Sequence, residues 1–360
     1  MKSTTPDITI IIATFNSAKL LGRVLDAVKA QDYPQDKIEI LIVDGGSADE
    51  TIALASNYGC VVLNNPETEP VNAKFLGLKS GKGRYLVFLD HDEVMQDKSS
   101  LRRKREIFDQ EPEVHAVIGS GYINPDPKNI VNEYINEFGD PFSFFMYRLS
   151  KGSGFFIATL HKRYKIVQEN DSSLIVDFSI GSRLPIIELV ALGSMIDKEY
   201  FLKEFPEVLH DKTLIGHLFY HLVERAPRIG VTKGDPLVHY SSENIKKYLA
   251  KIRWRVKNNV HFSSGTGAAG FTGRQQFDSL VGKYRKYFFP VYAFSIVLPL
   301  IDAIHLSISR KQPRYLIHIP LTIYTAAYVI FQYSLRLLGH HPQQRSYDES
   351  KVIKNFQQIS

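Results

Sequence analysis

Tyr85-Leu-Val-Phe-Leu-Asp90-His-Asp92-Glu93 is the stretch on which the reading of this chain turns. Five residues of strand character run straight into two carboxylates spaced i, i+2, with a third acid behind them. A buried strand ending in Asp-x-Asp sets hard oxygen ligands where strand becomes loop. In open α/β sheets that carboxyl edge is where ligands bind. Oxygen ligands of this kind suit Mg²⁺ or Mn²⁺, ions commonly shared with substrate phosphates. Alone, the motif is equally the polar turn that follows many core strands. Its neighbours in the chain decide between the two.

Upstream, Ile8–Ala13 reads as a short buried strand, and Asn16 or Ser17 is placed to cap the helix that follows. That helix carries Leu20, Leu21, Val24, Leu25 and Val28 at helical spacing. Ile38–Val43 is a second strand, closed by Asp44-Gly45-Gly46-Ser47. A helix over Thr51–Tyr58, a strand over Val61–Leu63 and a helix over Val71–Ser80 lead to the strand Tyr85–Leu89. Four strand–helix alternations predict a doubly wound, mostly parallel α/β sheet. The first strand runs into Thr14-Phe15-Asn16-Ser17 with no Gly-x-Gly-x-x-Gly turn, which disfavours a dinucleotide-binding oxidoreductase. Farther on, residues 121–192 have irregularly spaced aromatics and prolines. Leu189–Ile196 is expected as a strand, Asp211–Glu224 as a helix and Ser263–Gly273 as a flexible loop or linker.

Composition narrows the class. With 360 residues, 44% hydrophobic and 23% charged, the chain is not disordered and is long enough for one large domain plus appended elements. The single Cys60 rules out an internal disulfide framework and fits a reducing compartment. Met1–Asp7 is polar and Ile8–Ala13 too short for a signal sequence, so the catalytic part is expected on the cytoplasmic side. Residues 241–286 hold ten Lys and Arg against two acids, more than the whole net charge of +6. Within them 242–260 reads as an amphipathic helix, with Ile245, Tyr248, Leu249, Ile252, Val256 and Val260 as its stripe. Trp254 lies off that stripe, placed for lipid headgroups.

Two apolar stretches of spanning length follow, 287–308 and 315–338, so the basic segment is expected on an anionic membrane surface rather than on nucleic acid. Full insertion is disfavoured. Asp302 costs roughly 2.5–3.5 kcal/mol near mid-segment, against about 0.3–0.6 gained per Leu, Ile, Val or Phe. Arg310, Lys311 and Arg314 would also be carried across. A re-entrant or interfacial hairpin is expected. A homo-oligomer interface made by the aromatic-rich helices is the alternative. The predicted organisation is a catalytic domain over 1–240, a basic juxtamembrane segment over 241–286, an apolar helical hairpin over 287–340 and a polar tail over 341–360.

Taken together, Ile8-Thr-Ile-Ile-Ile-Ala-Thr14-Phe15-Asn16, Val43-Asp44-Gly45-Gly46-Ser47-Ala48-Asp49-Glu50-Thr51, then Gly77, Gly83 and Phe88-Leu89-Asp90-His91-Asp92 resemble family-2 glycosyltransferases of the GT-A fold. The likeness is specific over about residues 8–95 and looser to about 240. It implies a GT-A (nucleotide-diphospho-sugar transferase) mixed sheet flanked by helices. It also implies an inverting transferase that uses a UDP- or GDP-sugar and a divalent cation, Mn²⁺ or Mg²⁺. By the same resemblance Thr14, Asn16, Asp44, Gly45, Ser47, Lys74 and Asp90 fall on donor-binding positions. Asp90, Asp92 and His239 fall on the metal and diphosphate positions. Asp211, in His210-Asp211, aligns with the general base, with His210 replacing the family's usual acid. Phe75, after Lys74, stands where relatives carry an amide, and Arg253-Trp254 lacks the upstream glutamine of processive synthases. The membrane-associated C-terminal helices point to a lipid-linked acceptor, a polyprenyl diphosphate glycan, or to polyprenyl phosphate itself. A decayed, non-catalytic scaffold at the membrane is the reading from another class.

Overall fold

The opening run of β-branched residues has no polar side to turn to water except at its end, so it is buried on both faces as a central parallel strand. In the computed structural model, which describes residues 5–181, 185–265 and 267–345, this is β1 (Ile8–Thr14). It is followed by β2 (Ile38–Asp44), β3 (Val61–Asn64) and β4 (Tyr85–Asp90). Helices α1 (Ala18–Lys29), α2 (Thr51–Asn57) and α3 (Pro70–Ser80) make the crossovers. β1 pairs in parallel with β2 and β4, in a register that sets Thr14 beside Asp44 and Ala13 beside Asp90. One close crossing fixes α3 on this sheet. A Cβ on Gly77 would stand 2.3 Å from Ile11 Cγ2, so any other residue must displace Ile11.

The remaining strands are β5 (Glu93–Met95), β6 (Ala116–Ile118), β7 (Tyr122–Ile123), β8 (Tyr164–Glu169), β9 (Ser173–Gly181), β10 (Ser194–Asp197), β11 (Arg228–Thr232) and β12 (Leu237–His239). The large sheet runs β3-β2-β1-β4-β10-β6-β11-β9-β8, and β5-β12-β7 forms a small second one. β10 is antiparallel to both of its neighbours, which makes the sheet mixed. The expected strand at Leu189–Ile196 shrinks to Ser194–Asp197. The expected helix at Asp211–Glu224 splits into a 3₁₀ turn, Lys212–His217, and a helix, Leu218–Arg225. The described residues of 263–273 are no linker: turns on either side of 266 run into a short helix, Phe271–Arg274, packed so tightly that a Cβ on Gly273 would meet the Ala268 carbonyl at 1.8 Å.

The C-terminal part departs further from expectation. After α4 (Ser100–Gln110) comes α5 (Ile130–Phe138), and the basic helix Ile245–His261 buries Tyr248 and Ile252 against its Tyr134 and Phe138, with Leu321 in the same cluster. Protein, not lipid, covers this part of its stripe. Trp254 lines a cavity and donates to the Arg345 carbonyl. The apolar stretch 287–308 is broken. Leu280–Phe294 and Val297–Ser309 meet at 86°, with Ile296 at φ 59° in the bend. Pro299 has no N–H to offer the Ser295 carbonyl, which accepts from Val297 instead.

Among the described residues Pro313–Leu337 is the one helix long and apolar enough to cross a membrane by length and composition. It lies along the basic helix, through Arg253 to the Tyr324 hydroxyl (3.0 Å) and Arg336 to the Val260 carbonyl (2.6 Å). Of the charges that argued against insertion, Asp302, Arg310 and Arg314 have partners. Asp302 accepts from Arg148 (2.5 Å) and Tyr292 (2.6 Å). Arg310 pairs with the buried Glu137, and Arg314 donates to the carbonyls of Pro127 and Lys128.

Candidate active site

The ends of β1, β2 and β4 lie side by side, about 4.8 Å apart, and their loops carry the residues singled out by sequence. Asp44 is buried and saturated. One oxygen accepts from the backbone N–H of Gly46 and Ser47 (2.8 Å each), the other from the hydroxyls of Thr14 (2.9 Å) and Ser47 (2.5 Å). Thr14 and Asp44 thus shape the loop, and Gly45 holds it to β1 through its N–H to the Thr14 carbonyl. Asn16, exposed and at φ 49°, ties the two loops together. It accepts from Ala48 N–H at 2.9 Å, and its own N–H donates to the Ser47 hydroxyl. Neither Asn16 nor Ser17 makes a side-chain cap on α1. Asp49 does that work, accepting from Ala18 N–H and from Thr51 N–H, so it serves two helix starts at once.

At the end of β4, Asp90 pairs with Lys74 of α3 at 2.8 Å. Burial works against the Lys74 charge, but Asp90, with Glu93 and Glu188 nearby, holds the ammonium above its ordinary range. Asp92 faces His239, Oδ1 to Nε2 at 3.7 Å. Pairing of β12 with β5 sets His239 opposite Glu93 and so beside this loop, and Asn132 and Asn136 donate to its carbonyl. Burial pushes the imidazole down to about 4, so at neutral pH it offers a lone pair rather than a charge. Burial opposes the charge of Asp92, yet the facing groups, His239, His91 and Lys251, hold its carboxyl below the usual range. Glu93 is the reverse case, pushed up to about 8 by burial and by Asp90. It accepts from the Tyr122 hydroxyl and from Asp90 N–H, a brace for the loop.

No group of three His, Cys, Asp or Glu side chains is assembled for a metal among the described residues. A carboxylate and a neutral imidazole are what is present. That pair fits Mn²⁺ or Mg²⁺ whose other positions are filled by water and substrate oxygens. His239 Nδ1 is buried without a partner.

Beyond Lys74 lies a cavity of about 750 Å³ between the sheet, the basic helix and the C-terminal helices. Glu188 opens into it, its side chain 42% exposed, and pairs with Arg274 at 2.8 Å. Burial pushes the Glu188 carboxyl up, but Arg274, Lys151, Lys74 and Arg255 outweigh this and keep it ionised. Asp211 does not line this cavity. Its carboxylate accepts from Thr213 N–H (2.8 Å) and hydroxyl (2.6 Å), starting the 3₁₀ turn whose Ile215 and Gly216 do line it. Glu188 was passed over in sequence. The available signal was a lone acid inside the apolar run Pro185-Ile-Ile-Glu188-Leu-Val-Ala-Leu192.

Residues 9–165 match the family described as glycosyl transferase family 2. That part of the chain is therefore similar to the family, and it folds as a mixed sheet of the GT-A type. Glycosyltransferase AglE of Haloferax volcanii is 33% identical over 98 residues, 26% of this chain and 32% of that one. The O-antigen chain rhamnosyltransferase RfbN of Salmonella typhimurium is 31% identical over 116 residues, 31% and 36% of the two chains. The match thus spans about a third of the length of these curated relatives. Among solved structures, the mannosyltransferase PcManGT from Pyrobaculum calidifontis, in complex with GDP-Man and Mn²⁺, superposes with a TM-score of 0.50. Its identity is 15%, over 93% of this chain and 88% of that one. At that identity the likeness speaks for the fold.

Proposed function

We propose that this protein transfers a sugar, with inversion, from a nucleotide-sugar to a hydroxyl of a lipid-linked glycan at a membrane surface. The observation that carries the reading is Lys74. It binds Asp90 at the donor edge of the sheet and lines the cavity into which Glu188 opens. Donor-side and acceptor-side carboxylates therefore flank one buried cation. PcManGT, which shares the fold, binds GDP-Man and Mn²⁺, and this supports a nucleotide-sugar donor here.

In this reading the loops of β1 and β2, braced by Asp44 and Asn16, receive the nucleotide. Asp92 and His239 would hold the divalent cation, which neutralises charge developing on the leaving diphosphate. Glu188 accepts the proton of the acceptor hydroxyl. Its low proton affinity means it does so late, once the forming C–O bond has made that hydroxyl strongly acidic. General-base assistance of this sort is typically worth about 10²–10⁴-fold. Glu188→Gln is expected to lower kcat by that order while donor binding persists. Asp211→Asn should cost less than tenfold unless Asp211, not Glu188, is the base. Measuring transfer to lipid extract for both variants decides between them. An acceptor that is itself a phosphate needs no base, so full activity in both variants would favour transfer to polyprenyl phosphate.

A further inference from the structure

The cavity beyond Lys74 has a lining of two kinds. Lys151, Arg255 and Arg274 stand near one another on its wall, Arg255 with its side chain 40% exposed. Arg274 is 5% exposed, spends one N–H on Glu188, and leaves its buried Nε without a partner. Arg255 pairs with Asp140 at 3.2 Å. Lys151 is held by its backbone, N–H to the Glu137 carbonyl and carbonyl from Tyr122 N–H. Its Nζ makes no hydrogen bond or ion pair among the described residues, only a 5.8 Å approach to the Tyr122 ring. Burial, with Arg255 and Arg274 adding repulsion against the pull of Glu188, draws its pKa below the ordinary range. A half-buried ammonium with no partner from the chain, beside two guanidinium groups, is a place for an anion that the chain itself does not supply. Phe142, Phe271, Phe289 and Val329 belong to the apolar part of the lining. At the rim Tyr287, Ile330, Tyr333 and Leu337 both line the cavity and stand exposed. They belong to a wider outer face. Among the described residues, all the exposed large apolar side chains but Ile52, Val61, Val167 and Ile245 fall between residues 280 and 338.

We propose that this cavity is the seat of an isoprenoid diphosphate: Lys151, Arg274 and Arg255 take the diphosphate, and the chain leaves between Tyr287, Tyr333 and Leu337 onto the apolar face. The assignment rests on the lipid-linked acceptor reading and gives it a location. It also sets the acceptor's sugar hydroxyl near Glu188, one side chain away from the anchored phosphates.

Trp254, the single tryptophan, lines the cavity and reports its occupancy. The full chain in detergent is titrated with farnesyl diphosphate, farnesol or inorganic pyrophosphate while tryptophan emission is followed. Farnesyl diphosphate is expected to act saturably, at concentrations at least about tenfold below either fragment, since hydrogen bonds to a charged group are worth about that factor or more. Lys151→Ala should weaken farnesyl diphosphate about tenfold, leave farnesol unchanged and not lower Tm, because the ammonium has no partner to lose. Lys151→Arg should restore binding. Equal affinity for farnesol and its diphosphate, no effect of Lys151→Ala, or equal displacement by phosphatidylglycerol overturns the site. Transfer to lipid extract is measured in parallel. Lys151-dependent binding without transfer upholds the site and tells against the proposed function. Transfer without such binding sinks the site alone.

Discussion

Asp92 and His239 come from parts of the chain almost 150 residues apart, and two backbone arrangements bring them together: the turn at the end of β4 and the pairing of β12 with β5. Neither residue is needed to fill the core, so their removal should be felt by ligand rather than by fold. Asp92→Asn and His239→Ala are each expected to weaken Mn²⁺-dependent binding of UDP or GDP by about tenfold or more, with Tm nearly unchanged. Calorimetric titration with and without Mn²⁺ checks this. Motif spacing singled out Asp90 and Asp92, and family resemblance His239, and the structure brings Asp92 and His239 face to face. Glu188 was not singled out, because its proximity to Lys74 depends on the path of the segment before β10, which no local period encodes. Asp44 was found for another reason than the one the structure displays. Its carboxylate spends both oxygens on its own loop.

Whole elements obey the same logic of contact. The strands β1, β2 and β4 could be read nearly to the residue because burial on both faces leaves a continuous apolar run. The middle of the chain could not be read so. The aromatics of 130–147 pack on helices more than a hundred residues later, and their spacing follows that surface rather than a helical or strand period. The crossing of α3 over β1 is the tightest contact of the early sheet. Gly77→Ala must push Ile11 aside by more than half an ångström, and overpacking of this kind costs about 1–3 kcal/mol. Urea unfolding of the variant measures it.

A second element effect concerns the turn Lys212–His217. His217 hydrogen-bonds the Ala268 carbonyl at 2.7 Å, and burial, with Arg274 close by, pushes its imidazole down to about 4. Its folded pKa lies below the unfolded value, so its contribution is complete above about pH 6.5 and lost as pH falls toward 4. Tm is expected to fall across that window, and His217→Gln should flatten the slope.

At the scale of the molecule, the C-terminal third is part of the body and not an appendage. An anchor joined by a linker can be altered at the linker without cost to the fold. Here Arg310, between the apolar helices, is paired with Glu137, which is 1% exposed and also accepts from Tyr315 and Ser150. Arg310→Ala leaves that carboxylate uncompensated and is expected to cost about 3–5 kcal/mol, read as a drop in urea midpoint of the full chain. Sequence registered the apolar stretches and the awkward charges among them, Asp302 included. It did not register that α5 and Arg148 supply the missing partners, because hydropathy counts residues and not pairings.

The kink at Ser295–Ile296 has a mechanical corollary. Each arm is short; thirteen residues of helix reach about 20 Å, whereas hydrocarbon is about 30 Å deep. Where this face meets lipid, such a wedge crowds one leaflet and leaves the other untouched. Small, strongly curved vesicles, whose outer monolayer is already splayed, should then recruit the protein better than large flat ones of the same composition.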